Sequence, residues 1–159
     1  GHFQGVCQVV DKLFSVVKPG MVYFGQKDYQ QCMVIKKLIE QTPEHTHIDM
    51  NIVPTMREPS GLAMSSRNTR LSEEEKRTAT TIHQTLLFIK QNMQPGPTSI
   101  VLQQAKQRLT EKGFNIDYVD VADAETLRPA DEWDGKNPLV ALIAAYLGNV
   151  RLIDNLVIA

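Results

Sequence analysis

The stretch MVYFGQKDYQQ, residues 21–31, decides the class of fold. Its first four residues are all apolar, which is typical of a strand buried on both faces of a parallel sheet. A tight turn over residues 25–27 follows. Asp28 then opens a helix with Gln31 three positions later, the spacing of a capping box with aspartate as the cap. We therefore expect a strand, a turn and a helix, in that order.

The segments on either side extend this unit. Residues 4–17 place apolar side chains three and four positions apart, which predicts an amphipathic helix ending at residues 18–20, Lys-Pro-Gly. Residues 48–52 alternate apolar and polar, which predicts a second strand ending at Pro54. Residues 4–54 thus predict helix, strand, helix, strand, which is half of a doubly wound α/β domain. Because two strands are too few for such a sheet, we expect the others to come from upstream or from another chain.

The pattern changes after Pro54. Ser72 and Glu75 have the spacing of a second capping box and predict a helix that runs to about Met93. Thr98 is expected to cap a further helix, and that helix is expected to stop at Gly113.

Three strands are predicted in the last part of the chain, over residues 116–121, 139–147 and 150–158. Gly148-Asn149 is a hairpin dipeptide and predicts that the last two strands are antiparallel. We therefore divide the chain into residues 1–56, an incomplete α/β domain, and residues 57–159, a small α+β domain with two helices on an antiparallel sheet.

Composition narrows the classes of function. The chain has 159 residues, a net charge of −1 and no block of lysine and arginine, so a nucleic acid is a poor candidate partner. No apolar run approaches the roughly 20 residues needed to span a bilayer, and the start lacks a signal-peptide pattern. Cys7 and Cys32 have neither metal nor disulfide spacing, which favours a reduced, cytoplasmic protein. The start, GHF without a methionine, leads us to expect a piece of a longer chain.

The turn after the first predicted strand is the first candidate site. Ligands of open α/β sheets bind beyond the carboxyl ends of the strands. Gly25 allows a ligand to approach the backbone, Lys27 offers a charge to a phosphate, and Asp28 can accept bonds from a ribose. A tight turn with a solvated lysine explains the same residues equally well. Gln31 is either a capping partner or a donor to a carboxylate or hydroxyl.

The segment GLAMSSRN, residues 61–68, is the second candidate site. Ser65, Ser66 and Arg67 can donate several hydrogen bonds to phosphate oxygens, and arginine can do so bidentately. Met64, directly before them, is expected to be a buried apolar anchor. Because Ser72 already caps the next helix, Ser65 and Ser66 are not needed as caps. The segment lies near the boundary of the two predicted domains, where ligand pockets are common.

The histidines give weaker signals. His45 and His47 lie in a polar loop, where solvation is a better explanation than a metal pair because no further ligand is near. His83 stands on a helix among polar neighbours and carries no functional expectation. No Ser-His-Asp set and no setting for a nucleophilic cysteine is recognisable.

Taken together, four segments resemble the pantoate–β-alanine ligase family, whose members are called pantothenate synthetases. They are GHFQGVCQVVDKLF at 1–14, YFGQKDYQQ at 23–31, VPTMREPSGLAMSSRN at 53–68 and RLIDN at 151–155. The resemblance covers essentially the whole chain in order. It implies a Rossmann-like domain of which this chain carries the second half, and a C-terminal lid domain.

The resemblance implies an ATP-dependent ligase. Pantoate and Mg²⁺-ATP give a pantoyl adenylate and pyrophosphate, and β-alanine then displaces AMP to give pantothenate. It also implies that the full-length protein is cytoplasmic and a homodimer. Met64 to Arg67 would correspond to the Lys-Met-Ser-Lys-Ser loop of class I aminoacyl-tRNA synthetases.

The resemblance further assigns roles to residues. Gly25 and Asp28 would hold the ATP ribose, and Lys27 the phosphates. Gln26 would also contact ATP. The Met56 backbone would contact adenine, Gln31 would bind pantoate, and no residue would bind metal. The residues that would close over the nucleotide, with the last three reaching phosphate oxygens, are Met64, Ser65, Ser66 and Arg67.

Two departures from the family pattern qualify these expectations. Gln26 stands where glutamate is usual, and the family's His-x-x-His motif is not found in this sequence. We therefore expect this chain alone to be inactive. Two alternatives stay open: a related nucleotidyltransferase that activates a different carboxylic acid, and a non-catalytic module that associates through an exposed half-sheet.

Overall fold

The computed structural model describes residues 1–158, which form two compact units, Gly1–Thr55 and a second that begins at Met56. The helices are α1 His2–Val17, α2 Tyr29–Gln41, α3 Glu73–Asn92 and α4 Ser99–Glu111. The strands are β1 Met21–Gly25, β2 Asp49–Val53, β3 Gly96–Pro97, β4 Asn115–Asp123, β5 Glu132–Trp133, β6 Leu139–Leu147 and β7 Val150–Ile158. Among residues 1–158, no helix is both long and apolar enough to traverse a lipid bilayer.

The first unit contains a parallel pair of strands with two helices. β1 pairs with β2 in a register that sets Phe24 beside Ile52 and Gly25 beside Val53. Both strands therefore end at the same edge. Phe14 of α1 packs with Ile35 and Ile39 of α2 in the core of the unit, together with Ile48. The predicted order of helix, strand, helix and strand is confirmed, and so is the parallel pairing.

The burial predicted for β1 is wrong. Met21 is 50% exposed and Tyr23 is 65% exposed, while Val22 and Phe24 on the opposite face are half-buried. Side chains alternate across a strand, and only one face of β1 is packed against the core of this unit. Part of α1 is exposed in the same way. Its exposed apolar side chains are Phe3, Val9, Leu13, Val16 and Val17.

The predicted capping box at the start of α2 is also wrong. Asp28 stands at the helix boundary, but its side chain makes no capping hydrogen bond. The reason is the route by which the chain enters the helix. Residues Gln26–Asp28 form a 3-10 turn, and Asp28 has ψ of 55° instead of the extended backbone that a capping residue adopts.

The second unit is built on an antiparallel sheet with the order β4-β6-β7. The bounds and pairing of β6 and β7 are as predicted, and Gly148 at their turn has φ of 54°. Helices α3 and α4 share one hydrophobic core with this sheet. Its members that are less than 1% exposed are Ala79, Leu86, Ile89, Ala105, Leu109, Val119, Ala141 and Ala145.

The ends of α3 and α4 test the capping predictions. At α3 the box forms in full: the Ser72 hydroxyl accepts from the Glu75 amide, and the Glu75 carboxylate accepts from the Ser72 amide. Thr98 does not cap α4. Its hydroxyl donates to the carbonyls of Ala130 and Asp131, so it fastens a distant loop instead. Gly113, with φ of 82°, ends α4 as predicted.

Candidate functional site

Residues 56–64 form a short hairpin that leads into residues 65–67, which we call the Ser-Ser-Arg segment. Arg57 lies opposite Ala63 in an antiparallel bridge. The Met64 amide donates to the Met56 carbonyl at 2.9 Å, and the Glu58 amide donates to the Leu62 carbonyl at 2.8 Å. The two strands of this hairpin therefore fix where Met64 leaves it.

The tip of the hairpin is a four-residue turn, Glu58-Pro59-Ser60-Gly61. The Gly61 amide donates to the Glu58 carbonyl, and proline stands at the second position, where its fixed φ is favoured. Gly61 has φ of 92°, as expected for the glycine that follows a type I turn in a hairpin. Glycine is needed here because a side chain in this conformation is strained.

Replacing Gly61 by alanine is expected to lower the free energy of unfolding by about 1–3 kcal/mol. Two costs combine: the strained φ, and a new Cβ only 3.0 Å from Cδ2 of His83. Gly113→Ala is the matched control, because Gly113 has φ of 82° but nothing within 4 Å of an added Cβ. Urea denaturation should show the larger loss for Gly61→Ala. Equal losses would exclude a role for the His83 contact.

A buried ion pair fastens the hairpin to the sheet. The Arg57 guanidinium donates to both carboxylate oxygens of Asp154, Nη1 to Oδ2 at 2.6 Å and Nη2 to Oδ1 at 3.0 Å. Nη1 also donates to the Gly61 carbonyl at 3.2 Å. Asp154 lies on β7 and is 5% exposed. One arginine thus ties the turn of the hairpin to the core sheet.

Asn68 makes a second set of hydrogen bonds on the other side of the Ser-Ser-Arg segment. Its side chain is buried, and its amide donates to the Glu58 carboxylate at 3.2 Å and to the Ala63 carbonyl at 3.0 Å. Its backbone amide donates to the Ser65 carbonyl. The segment 64–67 is therefore held at both ends by contacts within the second unit.

The four predicted residues between these two sets of contacts, residues 64–67, are exposed to different degrees. Ser66 and Arg67 are exposed, Ser65 is half-buried, and Met64 is 53% exposed. The expectation that Met64 is a buried anchor is therefore wrong. Leu62 and Ala63, immediately before it, supply the buried apolar contacts instead. An exposed methionine beside hydroxyls and a guanidinium leaves all four side chains accessible to a ligand.

The expectation that neither serine is a cap is wrong for Ser65. Residues Ser66–Arg70 form a 3-10 helix, and the Ser65 hydroxyl accepts from the Arg67 amide at 3.2 Å. Ser65 has extended backbone, with φ of −157°. Its hydroxyl proton is not used by this bond, because the hydroxyl is the acceptor, so it can still donate to an anion.

The other predicted residues lie in the first unit, at the common edge where β1 and β2 end. Gly25 is the last residue of β1 and is exposed, while Gln26, Lys27 and Gln31 are half-buried. Asp28 is exposed at the start of α2. The structure thus gathers Gly25 to Gln31 at one strand end, as the sequence predicts, and places Met56 with residues 64–67 in the second unit.

Cys32 links the first turn of α2 to this edge. Its thiol donates to the Gly25 carbonyl at 3.4 Å. Burial, and secondarily the negative charge of Asp28, raise the pKa of Cys32 to about 11. The Cys32 thiol therefore stays protonated at neutral pH and acts as a hydrogen-bond donor.

Two histidines, His45 and His83, lie in buried or half-buried surroundings. His45 is 3% exposed, its Nε2 lies 2.8 Å from Asp11 Oδ1, and its ring meets Phe14 edge-on at 5.5 Å. It is a structural residue that joins α1 to the loop before β2. His83 is half-buried beside Gly61, and its Nδ1 is buried without a hydrogen-bond partner within residues 1–158. The expectation of a solvated loop is wrong for His45.

His83 should make the second unit less stable in mild acid. Burial, and secondarily the Arg57 charge, lower the pKa of His83 in the folded state below its ordinary 6.5, although Asp154 opposes this. The unfolded chain therefore takes up a proton that the folded chain excludes. This contribution to stability is complete above pH 6.5 and is lost progressively as the pH falls below it.

The measurement compares urea midpoints of the original chain and His83→Gln at about pH 7.5 and about pH 5.5. Glutamine is polar but does not titrate, so the variant removes only this contribution. We expect the original chain to lose more stability over this interval than the variant. Two parallel pH dependences would contradict the lowered pKa.

The described residues contain no set of side chains suited to a resident metal. Within residues 1–158, no three histidine, cysteine, aspartate or glutamate side chains are grouped so as to hold an ion. His47 is exposed and His45 is engaged with Asp11, so the two do not form a metal pair.

Sequence reasoning missed the residues that hold the hairpin. These are Arg57, Glu58, Asn68 and Asp154. Arg57 and Asp154 are 97 positions apart, and no periodicity connects them. The signal that was present is the placement of a charged residue inside an apolar strand, since Asp154 interrupts the last predicted strand. A buried carboxylate requires a partner, and Arg57 is that partner.

The fold described above agrees with comparisons to known proteins. The family model for pantoate-beta-alanine ligase matches residues 1–157. The pantothenate synthetase of Acinetobacter baylyi is 46% identical over 98% of this chain and 54% of its own length. That of Fervidobacterium nodosum is 41% identical over 99% of this chain and 56% of its own length.

Solved structures give the same result. The pantothenate synthetase from Thermus thermophilus matches with a TM-score of 0.86 and 36% identity, over 98% of this chain and 56% of that one. The pantoate-beta-alanine ligase from Francisella tularensis, complexed with beta-gamma ATP and beta-alanine, matches with a TM-score of 0.72 and 31% identity. It covers 98% of this chain and 50% of that one.

These matches define the chain as an α/β protein with the fold of solved pantothenate synthetases. It spans about half the length of the curated relatives that it matches. The chain belongs to the pantoate–β-alanine ligase family.

Proposed function

We propose that the chain is the C-terminal portion of an ATP-dependent ligase that joins pantoate to β-alanine. Residues 1–56 are the second half of a Rossmann-like domain, and residues 57–159 are a lid domain. The observation that carries the proposal is the geometry of residues 64–67. This segment is held at both ends by hydrogen bonds and exposes Ser66 and Arg67 to solvent, next to a hairpin that an ion pair holds against the sheet. The chain also belongs to this family. The Francisella relative was solved with an ATP derivative and beta-alanine, which supports the same substrates here.

The first chemical step requires positive charge and no protein nucleophile. A pantoate carboxylate oxygen attacks the α-phosphorus of ATP, and the bond from that phosphorus to the oxygen bridging to the β-phosphate breaks. Pantoyl adenylate and pyrophosphate result. Both partners are anions, so catalysis depends on alignment and on donors aimed at the phosphate oxygens.

The second step transfers the acyl group. The β-alanine amine attacks the adenylate carbonyl carbon, the bond from that carbon to the phosphate oxygen breaks, and AMP leaves while the amine loses a proton. The protein supplies position here as well. A protonated Cys32 thiol is consistent with a reaction that forms no covalent protein intermediate.

We assign roles on this basis. Lys27, Ser65, Ser66 and Arg67 neutralise and orient the phosphates. Gly25 and Asp28 contact the ribose, and Gln26 also contacts ATP. Gln31 binds pantoate. The Met56 backbone contacts adenine, and Met64 closes over the nucleotide. The Met56 carbonyl already accepts from the Met64 amide, which links these last two positions directly.

Mg²⁺ enters this proposal as a partner of ATP. The grouped carboxylates or imidazoles that would hold a resident ion are not found within residues 1–158. Mg²⁺ is commonly bound through substrate phosphates and water with few protein ligands, and the donors on this chain suit the phosphates themselves. When bound, Mg²⁺ would offset the negative charge of the phosphates.

Pyrophosphate exchange into ATP by the full-length protein tests the function. We expect exchange that depends on pantoate. Exchange with another carboxylic acid and none with pantoate would instead favour the alternative, a related nucleotidyltransferase. The 159-residue chain alone is expected to show no exchange. Calorimetric titration of that chain with Mg²⁺-ATP is expected to show weak binding, and the absence of heat at millimolar ATP would refute it.

One observation favours association of the 159-residue chain with another protein chain when it is studied alone. Apolar side chains of α1 and β1 are exposed, including Val16, Val17 and Tyr23 at 65–69%. Exposed apolar surface of this kind marks association sites. We propose that this surface is covered within the cytoplasmic full-length protein, which we expect to be a homodimer. Light scattering should show association of the separate chain, and a compact monomer would argue against it.

A further inference from the structure

The ion pair between Arg57 and Asp154 differs in burial from another ion pair in the same unit. The Arg57 side chain is 20% exposed and the Asp154 side chain is 4% exposed. Arg151 and Asp117 also form an ion pair, but their side chains are 36% and 42% exposed. An exposed pair contributes little to stability, whereas removing one partner of a buried pair leaves an uncompensated charge.

The geometry of the buried pair limits motion of the hairpin. The two terminal nitrogens of the Arg57 guanidinium, Nη1 and Nη2, both donate to the Asp154 carboxylate, and Nη1 also donates to the Gly61 carbonyl. Asp154 is itself oriented, because its Oδ1 accepts from the Asn155 amide at 2.9 Å. A bidentate pair fixes direction as well as distance. The hairpin therefore has one defined orientation on β7.

The orientation of the hairpin also fixes the orientation of the Ser-Ser-Arg segment that follows it. Met64 is bonded to Met56 in the hairpin, and Ser65 follows directly. Asn68 holds the far end through Ala63 and Glu58. A free loop would have to be ordered when it binds a ligand, whereas a fastened one presents its donors already placed.

We propose that Arg57 and Asp154 are positioning residues for the adenylation step, acting through Ser65, Ser66 and Arg67. This inference rests on the proposed function. Neither residue contacts substrate in this role. Their ion pair sets where the exposed Arg67 guanidinium meets the phosphates, so its loss lowers the rate even in folded protein.

The test uses the full-length protein and pantoate-dependent pyrophosphate exchange. Asp154→Asn removes the charge that holds Arg57. We expect the maximal exchange rate to fall about 10- to 100-fold, because misplacement of donors by about 1 Å has effects of this size. The KM for pantoate is expected to stay unchanged. Asp117→Asn removes the same charge from the exposed pair and is expected to leave the rate within about twofold.

A double variant distinguishes positioning from general loss of structure. In an Arg67→Ala background, Asp154→Asn is expected to lower the rate by less than it does alone, since the cation among the three donors it positions is gone. A purely structural role predicts the same fold decrease in both backgrounds. If Asp154→Asn unfolds below the assay temperature, Arg57→Lys replaces it in the same cycle, because lysine keeps the charge but loses the bidentate contact.

The outcomes separate the two proposals. A full-length protein without pantoate-dependent exchange overturns the proposed function and this inference with it. Exchange in the original protein, with Asp154→Asn or Arg57→Lys equal to Asp117→Asn, overturns the inference alone. Equal fold decreases with and without Arg67 also overturn it.

Discussion

Arg67→Ala in the full-length protein should lower the rate of pantoate-dependent pyrophosphate exchange by roughly 30- to 900-fold, or about 2–4 kcal/mol of transition-state stabilisation. The reason is geometric and electrostatic. Arg67 is exposed at the start of a short helix whose position is fixed by Ser65 and Asn68. Arg67 is the cationic side chain of residues 64–67. Its charge can stabilise the phosphate oxygens, whose charge changes as the bond to pyrophosphate breaks.

Arg70→Ala is the matched control for this prediction. Arg70 ends the same 3-10 helix and is exposed, so the substitution removes an identical charge three positions away. We expect its exchange rate to stay within about twofold of the original, as for surface substitutions generally. An Arg67→Ala protein that exchanges as fast as Arg70→Ala would refute the phosphate-binding role of Arg67.

Lys27→Ala should have an effect of similar size, about 2–4 kcal/mol in the same assay. Lys27 follows the last residue of β1 by two positions, at the edge where both parallel strands end. Ligands of α/β sheets bind at this edge, and a lysine there supplies a point charge to a phosphate. The KM for ATP and the maximal rate are both expected to change.

Lys36→Ala provides the comparison for Lys27. Lys36 is exposed on α2 and lies away from the strand ends, so its removal changes the net charge of the unit equally. Calorimetric titration of both full-length variants with Mg²⁺-ATP complements the exchange assay. Unchanged exchange in Lys27→Ala would show that the turn is only structural, which is the other explanation its sequence permits.

The elements were predictable where local patterns and the core agree. The capping box predicted at Ser72 and Glu75 forms at the start of α3, and Gly148 gives the bounds of β6 and β7. Prediction failed where a residue with the spacing of a helix cap does not cap the helix in the structure. Asp28 has capping-box spacing, yet the 3-10 turn before it provides another way into the helix. Thr98 stands at a helix start, but its hydroxyl bonds to a distant loop.

The candidate site divides in the same way. Segments that could contact a ligand, such as residues 64–67, are visible in the sequence because polar side chains cluster there. The residues that orient them are not, because Arg57 meets Asp154 only after the sheet has formed. Burial was also misjudged for Met64 and His45, since a methionine in an apolar run and a histidine in a polar loop carry no sequence signal of their actual exposure.

The bond from the Cys32 thiol to the Gly25 carbonyl gives the protein an internal reporter of local opening. Cys32 is 1% exposed, and an alkylating reagent reaches it only when the first turn of α2 separates from the end of β1. Its modification rate therefore measures the free energy of that local separation, with half-buried Cys7 as an internal reference. A nucleotide seated against Gly25 would slow the modification of one cysteine and not the other.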